Sequence, residues 1–196
     1  MRLVAAQDCV LVLVDFQQRL LPAIHDVDRV MQEALRLADA ARELGIRVLG
    51  TEQNPGGLGP SDPAIGSRCD AMLHKMHFDA CADGLLALAR EDGATPTQAV
   101  VAGCEAHVCL LQTALGLLDA GLRVWVVAPA CGSRRPRDHD LAMTRLRQAG
   151  AVVVSGEMVI FEWLRSCEHE RFRPVLALVK RPGATVAAYR EGTRES

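Results

Sequence analysis

Short apolar runs alternate along this chain with longer segments in which apolar residues recur at helical spacing. The apolar runs cover residues 9–14, 46–49, 71–75, 98–102, 122–127 and 151–154. The segments with helical spacing cover residues 27–44, 83–91, the part of 99–121 after Gly103, 138–148, 157–165 and 171–180. Runs without polar alternation are typical of parallel strands that are buried on both faces. The pattern predicts an α/β fold, a three-layer α-β-α sandwich around a six-stranded, mostly parallel sheet.

No internal repeat or low-complexity linker divides this pattern, so we expect a single domain over residues 1–196. Residues from about 181 onward are mixed in character and end in a polar stretch. We expect this C-terminal segment, about 181–196, to be a loosely held tail or an oligomer contact.

Composition excludes several classes of partner. Hydrophobic residues make up 49% of the chain, which is enough for a full core. The net charge of -2 and an aromatic content of 4% argue against a nucleic-acid partner, because such surfaces show clustered positive charge and stacking side chains. No apolar run approaches the roughly 18 to 20 residues of a membrane span, so no membrane partner is expected. The N-terminal stretch reads as a buried strand and not as a signal peptide.

Seven cysteines are scattered along the chain without a C-x-x-C pair. An odd count with no secretory signal predicts reduced thiols in a cytoplasmic protein. Most of these cysteines are expected to serve as small buried hydrophobic residues.

Three chemically active side chains fall at predicted strand ends: Asp15 after the first strand, Lys75 at the end of the third, and Cys109 just past the fourth. The carboxyl ends of parallel strands share one edge of the sheet, so these groups are expected to meet there. A carboxylate, a cation and a thiol form a complete nucleophile assembly. Lys75 and the helix N-terminus should favour the thiolate of Cys109. Asp15 could accept the thiol proton and pass it to a leaving amine.

Each of these residues also has an ordinary structural interpretation. Asp15 could cap a turn, Lys75 could be a solvated lysine, and Cys109 could be a buried helix residue. His107 is expected at a pocket rim or in packing, because helix residues two apart do not face each other. His74 and His77 flank Lys75 but lack identifiable partners for zinc. The arginines at 134, 135 and 137 are expected in a solvated loop or a subunit contact.

Several segments in a fixed order carry a resemblance to a known family. They are LVLVDFQ around Asp15, the Lys75-Met76-His77-Phe78 segment, VVAGCEAHVCLLQTAL around Cys109, and the later ACGSRRPRDHDLAMTRLRQAG and FEWLRSCEHERFRPVLALVK. Together they make residues 9–180 resemble the isochorismatase-like cysteine hydrolases. TEQNPGGLGP and GCEAHVC have near counterparts in the isochorismatase-domain branch of that superfamily.

The resemblance implies a Rossmann-like hydrolase fold and a catalytic triad of Asp15, Lys75 and Cys109. It also implies an oxyanion hole made by the backbone N–H groups of Glu105 and Cys109, and a cis peptide between Cys104 and Glu105. The turn at 103–105, read from the sequence alone, likewise aims backbone N–H groups toward a developing oxyanion. The apolar C-terminal helices and the resemblance together suggest a homo-oligomer, a dimer or higher.

Two comparisons with known activities of this superfamily narrow the reactions that we expect. Nicotinamidases of this superfamily carry an Asp and His metal cluster in the loop after the second strand, and TEQNPGGLGP has neither residue. True isochorismatases generally lack the nucleophilic cysteine. We therefore expect no metal and no cofactor, and hydrolysis of a small-molecule amide or carbamoyl-type C–N bond. The substrate pocket is expected to use a set of mostly neutral side chains: Phe16, Gln17, Gln53, Leu58, Phe78 and His107.

Two other classes of function stay open at this stage. One is a catalytically silent binding or scaffold member of the same fold. The other is a redox-active thiol protein in which Cys104 resolves an oxidised Cys109.

Overall fold

A parallel sheet forms the centre of the protein. A computed structural model describes residues 3–180, apart from the side chain of Asp92. In this part of the chain the strands are β1 (Cys9–Val14), β2 (Arg47–Gln53), β3 (Ala71–Lys75), β4 (Gln98–Cys104), β5 (Arg123–Gly132) and β6 (Val152–Val154). Their order is β3-β2-β1-β4-β5-β6, and every neighbouring pair is parallel. The predicted mostly parallel sheet of six strands is confirmed.

Helices cover both faces of the sheet. They are α1 (Val27–Glu43), α2 (Pro55–Leu58), α3 (Pro63–Gly66), α4 (Leu85–Ala89), α5 (Cys109–Asp119), α6 (Pro136–Gln148), α7 (Gly156–Leu164) and α8 (Phe172–Lys180). Helices α1, α7 and α8 pack on one face, and α4, α5 and α6 pack on the other. The predicted three-layer sandwich is therefore confirmed. No helix within residues 3–180 combines the length and the apolar character needed to cross a bilayer.

Strand β1 shows why an unbroken apolar run folds as a central strand. All six of its residues are buried. Leu11 and Leu13 face the α1 layer, whereas Val10, Val12 and Val14 face the α5 layer. Burying such a side chain is worth about 1.5–3 kcal/mol relative to exposing it, so both faces favour the central position.

The predicted boundaries of two strands and one helix are wrong, and each difference has a physical reason or a structural counterpart. Strand β2 runs four residues past the predicted end at 49 because its polar end pairs with β3, with Gln53 opposite Lys75. Strand β5 similarly runs past 127 to Gly132. The single helix predicted over 83–91 is broken, because Gly84 takes a φ of 104° and separates a 3₁₀ turn from α4. The predicted C-terminal tail lies outside the described residues.

The sheet reverses its winding direction between β1 and β4. Open parallel sheets bind ligands in the crevice outside the carboxyl ends of the strands at such a switch point. Asp15 directly follows β1, and α5 begins at Cys109 soon after β4. The topology therefore places the proposed base and nucleophile at the same crevice.

Gly103 allows β4 to approach β1 closely at this crevice. Its φ is 147°, and an added Cβ would overlap the Val14 carbonyl oxygen and lie 2.7 Å from the Val14 Cβ. We expect Gly103→Ala to lower the free energy of unfolding by about 1–3 kcal/mol beyond the cost of the backbone conformation, because a packed interior resists added volume.

Gly45→Ala is the matched control for this substitution in urea unfolding. Gly45 also has a positive φ, 68°, but a Cβ there would meet no atom within 4 Å. It should cost only the left-handed backbone penalty of about 1–2 kcal/mol. Equal losses in the two variants would contradict the close-approach explanation.

Candidate active site

Asp15 and Lys75 form a fully buried ion pair. The Lys75 Nζ lies 2.9 Å from the Asp15 Oδ2, and neither side chain has any exposed surface. The Thr51 hydroxyl donates to the other carboxylate oxygen at 2.6 Å. Asp15 also takes a left-handed backbone conformation, with a φ of 52°, which is uncommon outside glycine and clusters at functional sites. Both charges are thus compensated inside the fold.

The Lys75 ammonium is held by further acceptors around it. Gln53 Oε1 accepts from Nζ at 2.7 Å, and the carbonyls of His77 and Phe78 lie 3.4 Å away. The Gln53 amide nitrogen donates to the Met76 carbonyl at 2.8 Å. The segment after β3 therefore turns its carbonyls toward the lysine and the glutamine.

That segment is anchored by Asp83 from the other side. The Asp83 carboxylate accepts the backbone N–H groups of Met76 at 2.9 Å and His77 at 2.8 Å. It also contacts the His77 ring at 2.9 Å, and these bonds lower the pKa of Asp83. Because the backbone is fixed in this way, the carbonyls that surround Lys75 have a defined position.

Cys109 completes the cluster as the first residue of α5. Its side chain is 6% exposed, and its Sγ lies 3.9 Å from Gln53 Oε1. Asp15 and Lys75 both interact with the thiol, by charge and by side-chain hydrogen bonding. The three residues predicted from strand ends, far apart in the sequence, therefore meet at one point.

Burial opposes the thiolate that Lys75 is expected to favour. Burial, followed by the negative charge of Asp15, raises the pKa of Cys109 to about 12. The positive charge of Lys75 acts in the predicted direction and lowers that pKa, but it does not outweigh burial. A nucleophilic role for Cys109 thus requires that its proton be removed as the reaction proceeds.

The turn between β4 and α5 has the backbone expected of an oxyanion site. The Cys104–Glu105 peptide is cis, as the family resemblance implied. Glu105 accepts the N–H groups of Val108 and Leu110 through its carbonyl. Within residues 3–180, no acceptor pairs with the backbone N–H groups of Glu105 and Cys109. These two donors are therefore available to a ligand.

Comparison with known proteins identifies the family. The model of the isochorismatase domain matches residues 9–158. The chain belongs to the isochorismatase family. Mouse isochorismatase domain-containing protein 2A is 35% identical over 178 residues, which are 90% of this chain and 84% of that protein.

Solved structures share the fold. A Caenorhabditis elegans protein described as MAR1 ribonuclease superposes with a TM-score of 0.87 at 29% identity, covering 94% of this chain and 95% of that one. The YcaC gene product of Escherichia coli, described as an octameric hydrolase of unknown specificity, superposes with a TM-score of 0.83 at 23% identity. That match covers 98% of this chain and 95% of the YcaC chain.

The residues predicted to line a pocket in this isochorismatase domain fall into two groups. Phe16 packs in the core of the α1 layer, and Gln17 is buried with its amide bonded to the backbone of Gln53 and Gly59. These two residues shape the loop behind the site. Gln53 touches Lys75 and Cys109 directly, as described above. Leu58 is half-buried at the end of α2.

Phe78 and His107 lie on the two loops that frame the cluster. The Phe78 side chain is 51% exposed, while its carbonyl faces Lys75. The His107 ring is half-buried, and its Nδ1 lies 3.0 Å from the Ser133 hydroxyl. His107 thus has a side-chain partner on the loop after β5.

Sequence reasoning missed Thr51 and the ion pair that Arg134 makes with Glu105. Thr51 pairs with Val14 in the β2–β1 register, which brings its hydroxyl beside Asp15. Only knowledge of the strand register could have revealed this. Arg134 was expected in a solvated loop or a subunit contact; its side chain is 61% exposed, but its Nε also pairs with Glu105 at 3.0 Å.

Neither a metal cluster nor a cysteine pair is evident around the triad. Residues 3–180 contain no group of three or more His, Cys, Asp or Glu side chains that could hold a metal ion. Cys104 packs in the α1 layer, whereas Cys109 packs in the α5 layer. A disulfide between them would have to cross the sheet, so the pairing that a redox role requires is not preformed. All seven cysteines are free.

Proposed function

We propose that the protein is a cysteine hydrolase that cleaves a small amide or carbamoyl-type C–N bond through a thioester on Cys109. The observation that carries this proposal is the buried cluster of Asp15, Lys75 and Cys109 at the switch point of the sheet. Burying two charges is costly, and the pair stands beside a thiol and two unpaired backbone donors. That combination supplies a base, a nucleophile and an oxyanion site.

The first half of the reaction forms the thioester. The Cys109 Sγ attacks the carbonyl carbon while its proton passes to Asp15, so a free buried thiolate need not accumulate. The carbonyl electron pair moves to oxygen, where the N–H groups of Glu105 and Cys109 would hold it. The C–N bond then breaks, and the departing amine takes the proton from Asp15.

The second half returns the enzyme to its resting state. Asp15 takes a proton from water as the water oxygen attacks the thioester carbon. The C–S bond breaks, the Cys109 sulfur regains the proton, and a carboxylic acid is released. Lys75 stays charged throughout and orients Asp15, while Gln53 holds Lys75.

Two other substrate classes are less favoured than small amides. The ribonuclease activity named for the Caenorhabditis elegans relative would call for a basic surface, and this chain carries a net charge of -2. The loop after β2 lacks the Asp and His residues of a nicotinamidase metal site. The octameric state described for the YcaC product supports a homo-oligomer here, and we retain the prediction of a cytoplasmic location.

Trapping the thioester tests the proposal. The protein is mixed with a panel of small aliphatic and aromatic primary amides and carbamoyl compounds, quenched in acid, and measured by intact mass and peptide mapping. We expect an acyl adduct on Cys109 with at least one member of the panel, together with release of ammonia, or of an amine from N-substituted carbamoyl compounds. Release of ammonia or amine without an adduct on Cys109 would contradict the proposal. Neither product across the panel would also contradict it and would favour a scaffold role.

Asp15→Asn should slow hydrolysis and, at the same time, make the Cys109 thiol easier to modify. Hydrolysis is expected to fall by about 10²–10⁴-fold, because a general base contributes roughly that much. The negative charge of Asp15 raises the pKa of Cys109, so its removal lowers that pKa. Modification of Cys109 by methyl methanethiosulfonate at pH 7.5 should therefore become faster, by about three- to fourfold for each unit of pKa lost, because the gain in thiolate outweighs the fall in its nucleophilicity.

The modification rate is followed on the peptide that contains Cys109, because Cys167 is exposed and also reacts. Asp28→Asn on the exposed face of α1 is the matched control and should change neither rate. A parallel fall in hydrolysis and in thiol modification would count against Asp15 as the base, since it would indicate a collapsed site.

A further inference from the structure

Two three-residue segments pair with each other at the turn between β4 and α5, which we call the oxyanion turn. The first is Glu105–His107 and the second is Gly132–Arg134, at the end of β5. Each residue of the first segment bonds with a different residue of the second, and we call this paired unit the clasp. Its contacts are a backbone bond from Ala106 N to Gly132 O at 2.7 Å, His107 Nδ1 to Ser133 Oγ at 3.0 Å, and Glu105 Oε2 to Arg134.

The Glu105 side chain makes more than a surface ion pair. Its Oε2 accepts both the backbone N–H and the side-chain Nε of Arg134, each at 3.0 Å. The Glu105 side chain is 9% exposed, whereas that of Arg134 is 61% exposed. An exposed ion pair alone contributes little, but a nearly buried carboxylate bonded to a backbone N–H fixes the chain.

Ser133 ties the clasp to the turn that precedes α1. Ser133 is 3% exposed, and its carbonyl accepts the backbone N–H of His25 at 3.0 Å. Gly132 is packed so closely that a Cβ there would lie 2.5 Å from Ile24 Cγ2. The second segment therefore cannot shift easily, and it can serve as a fixed support for the first.

The supported turn carries both of the donors on which the proposed chemistry depends. The N–H of Glu105 and that of Cys109 stand at the two ends of the turn, and neither pairs with an acceptor in the described part of the chain. Such donors act only when they point to where the oxyanion will form. Sites held by supporting contacts keep this geometry to within about 0.5 Å.

From the clasp we infer that Glu105 and Ser133 are positioning residues, whose side chains hold the oxyanion turn in its productive geometry. This inference rests on the proposed hydrolase function. Side-chain substitutions test it cleanly, because they keep the backbone N–H of Glu105 in place and remove only the support.

The variants are Glu105→Ala, Glu105→Gln and Ser133→Ala, assayed with the best amide from the panel. Glu105→Ala should lower kcat by about 10–10³-fold with KM within threefold, because loss of one oxyanion donor costs about 10²–10³ in kcat. Glu105→Gln should recover at least tenfold of that loss, since its amide oxygen can still accept from Arg134. Ser133→Ala should lower kcat by a smaller factor, at least threefold.

Two further measurements distinguish misplacement of the turn from general damage. Methyl methanethiosulfonate has no carbonyl group, so its rate with Cys109 should stay within twofold of wild type in every variant. Hydrogen exchange of the amides at 105–110 should accelerate at least tenfold in Glu105→Ala, and this readout needs no turnover. Glu33→Ala, which breaks the half-buried Arg36–Glu33 pair on α1, is the control and should change none of these quantities.

Failure of the positioning role and failure of the hydrolase function would give different results. Unchanged kcat and unchanged exchange in Glu105→Ala and Ser133→Ala would overturn the positioning role, as would an equal fall in kcat and in thiol modification. A wild-type protein without turnover would overturn the proposed hydrolase function, while the exchange rates would still decide whether the clasp holds the turn.

Discussion

Replacing Cys109 with alanine is expected to lower kcat/KM for a small amide by about 10³–10⁶-fold, the range typical when a covalent nucleophile is removed. The effect should be this large because, in the proposed mechanism, the thiol is the attacking atom and the other members of the cluster act through it. Cys109 begins α5 beside Gln53, with Asp15 and Lys75 acting on its proton. The measurement is steady-state turnover combined with intact mass after an acid quench, and the acyl adduct should vanish.

Cys9→Ala is the matched control for this experiment. Cys9 is also a buried thiol whose pKa burial raises to about 12, but it lies at the start of β1, at the opposite end of the strand from Asp15. Its loss should leave turnover within twofold of wild type. Retention of more than a tenth of the activity in Cys109→Ala would place the nucleophile elsewhere and end the thioester proposal.

Replacing Lys75 with methionine is expected to lower the free energy of unfolding by about 3–5 kcal/mol, because it leaves a buried carboxylate without its cation. The Lys75 and Asp15 side chains both have no exposed surface, so solvent cannot compensate for the missing partner. Methionine preserves most of the volume of the lysine stem, which limits the contribution from a cavity. Urea unfolding of the single variant measures the loss.

The double variant Asp15→Asn/Lys75→Met separates charge from packing. Removing both charges should regain most of the lost stability, because a neutral replacement of a buried pair is often close to neutral in free energy. Hydrolysis should remain absent in the double variant, since the base is also gone. If the single and double variants were equally unstable, the loss would come from packing and not from an uncompensated charge, and the double-mutant cycle would show no coupling.

The fold followed from the sequence to a large extent. Apolar runs such as Cys9–Val14 can be buried on both faces only in a central strand, so their number and spacing predicted the layered sheet. The same reasoning placed Asp15, Lys75 and Cys109 at strand ends, because a polar residue that follows such a run marks the edge of the sheet. Residue type and order were sufficient for these inferences.

The register of the strands and the burial of the site could not be predicted from the sequence. That Thr51 donates to Asp15 depends on how β2 aligns with β1, and the polar end of β2 carries no periodic signal of its own. The location of Phe16 in the α1 layer, away from Cys109, depends on the loop that Gln17 fixes. Such pairings join residues that are distant in the chain, and local patterns do not record them.

The Cys109 thiol shows most clearly what the sequence determined and what the tertiary structure decided. The sequence alone determined which groups are present: a thiol at a helix start, a lysine and an aspartate at strand ends. Only the tertiary structure decided that the pKa of Cys109 is raised, because burial and the negative charge of Asp15 outweigh the positive charge of Lys75. It likewise decided that Ser133 and Arg134 bond to the turn between β4 and α5, since β4 and β5 bring those segments together. The electrostatic environment of Cys109 and the contacts to the turn both depend on packing, and packing is set by the whole chain.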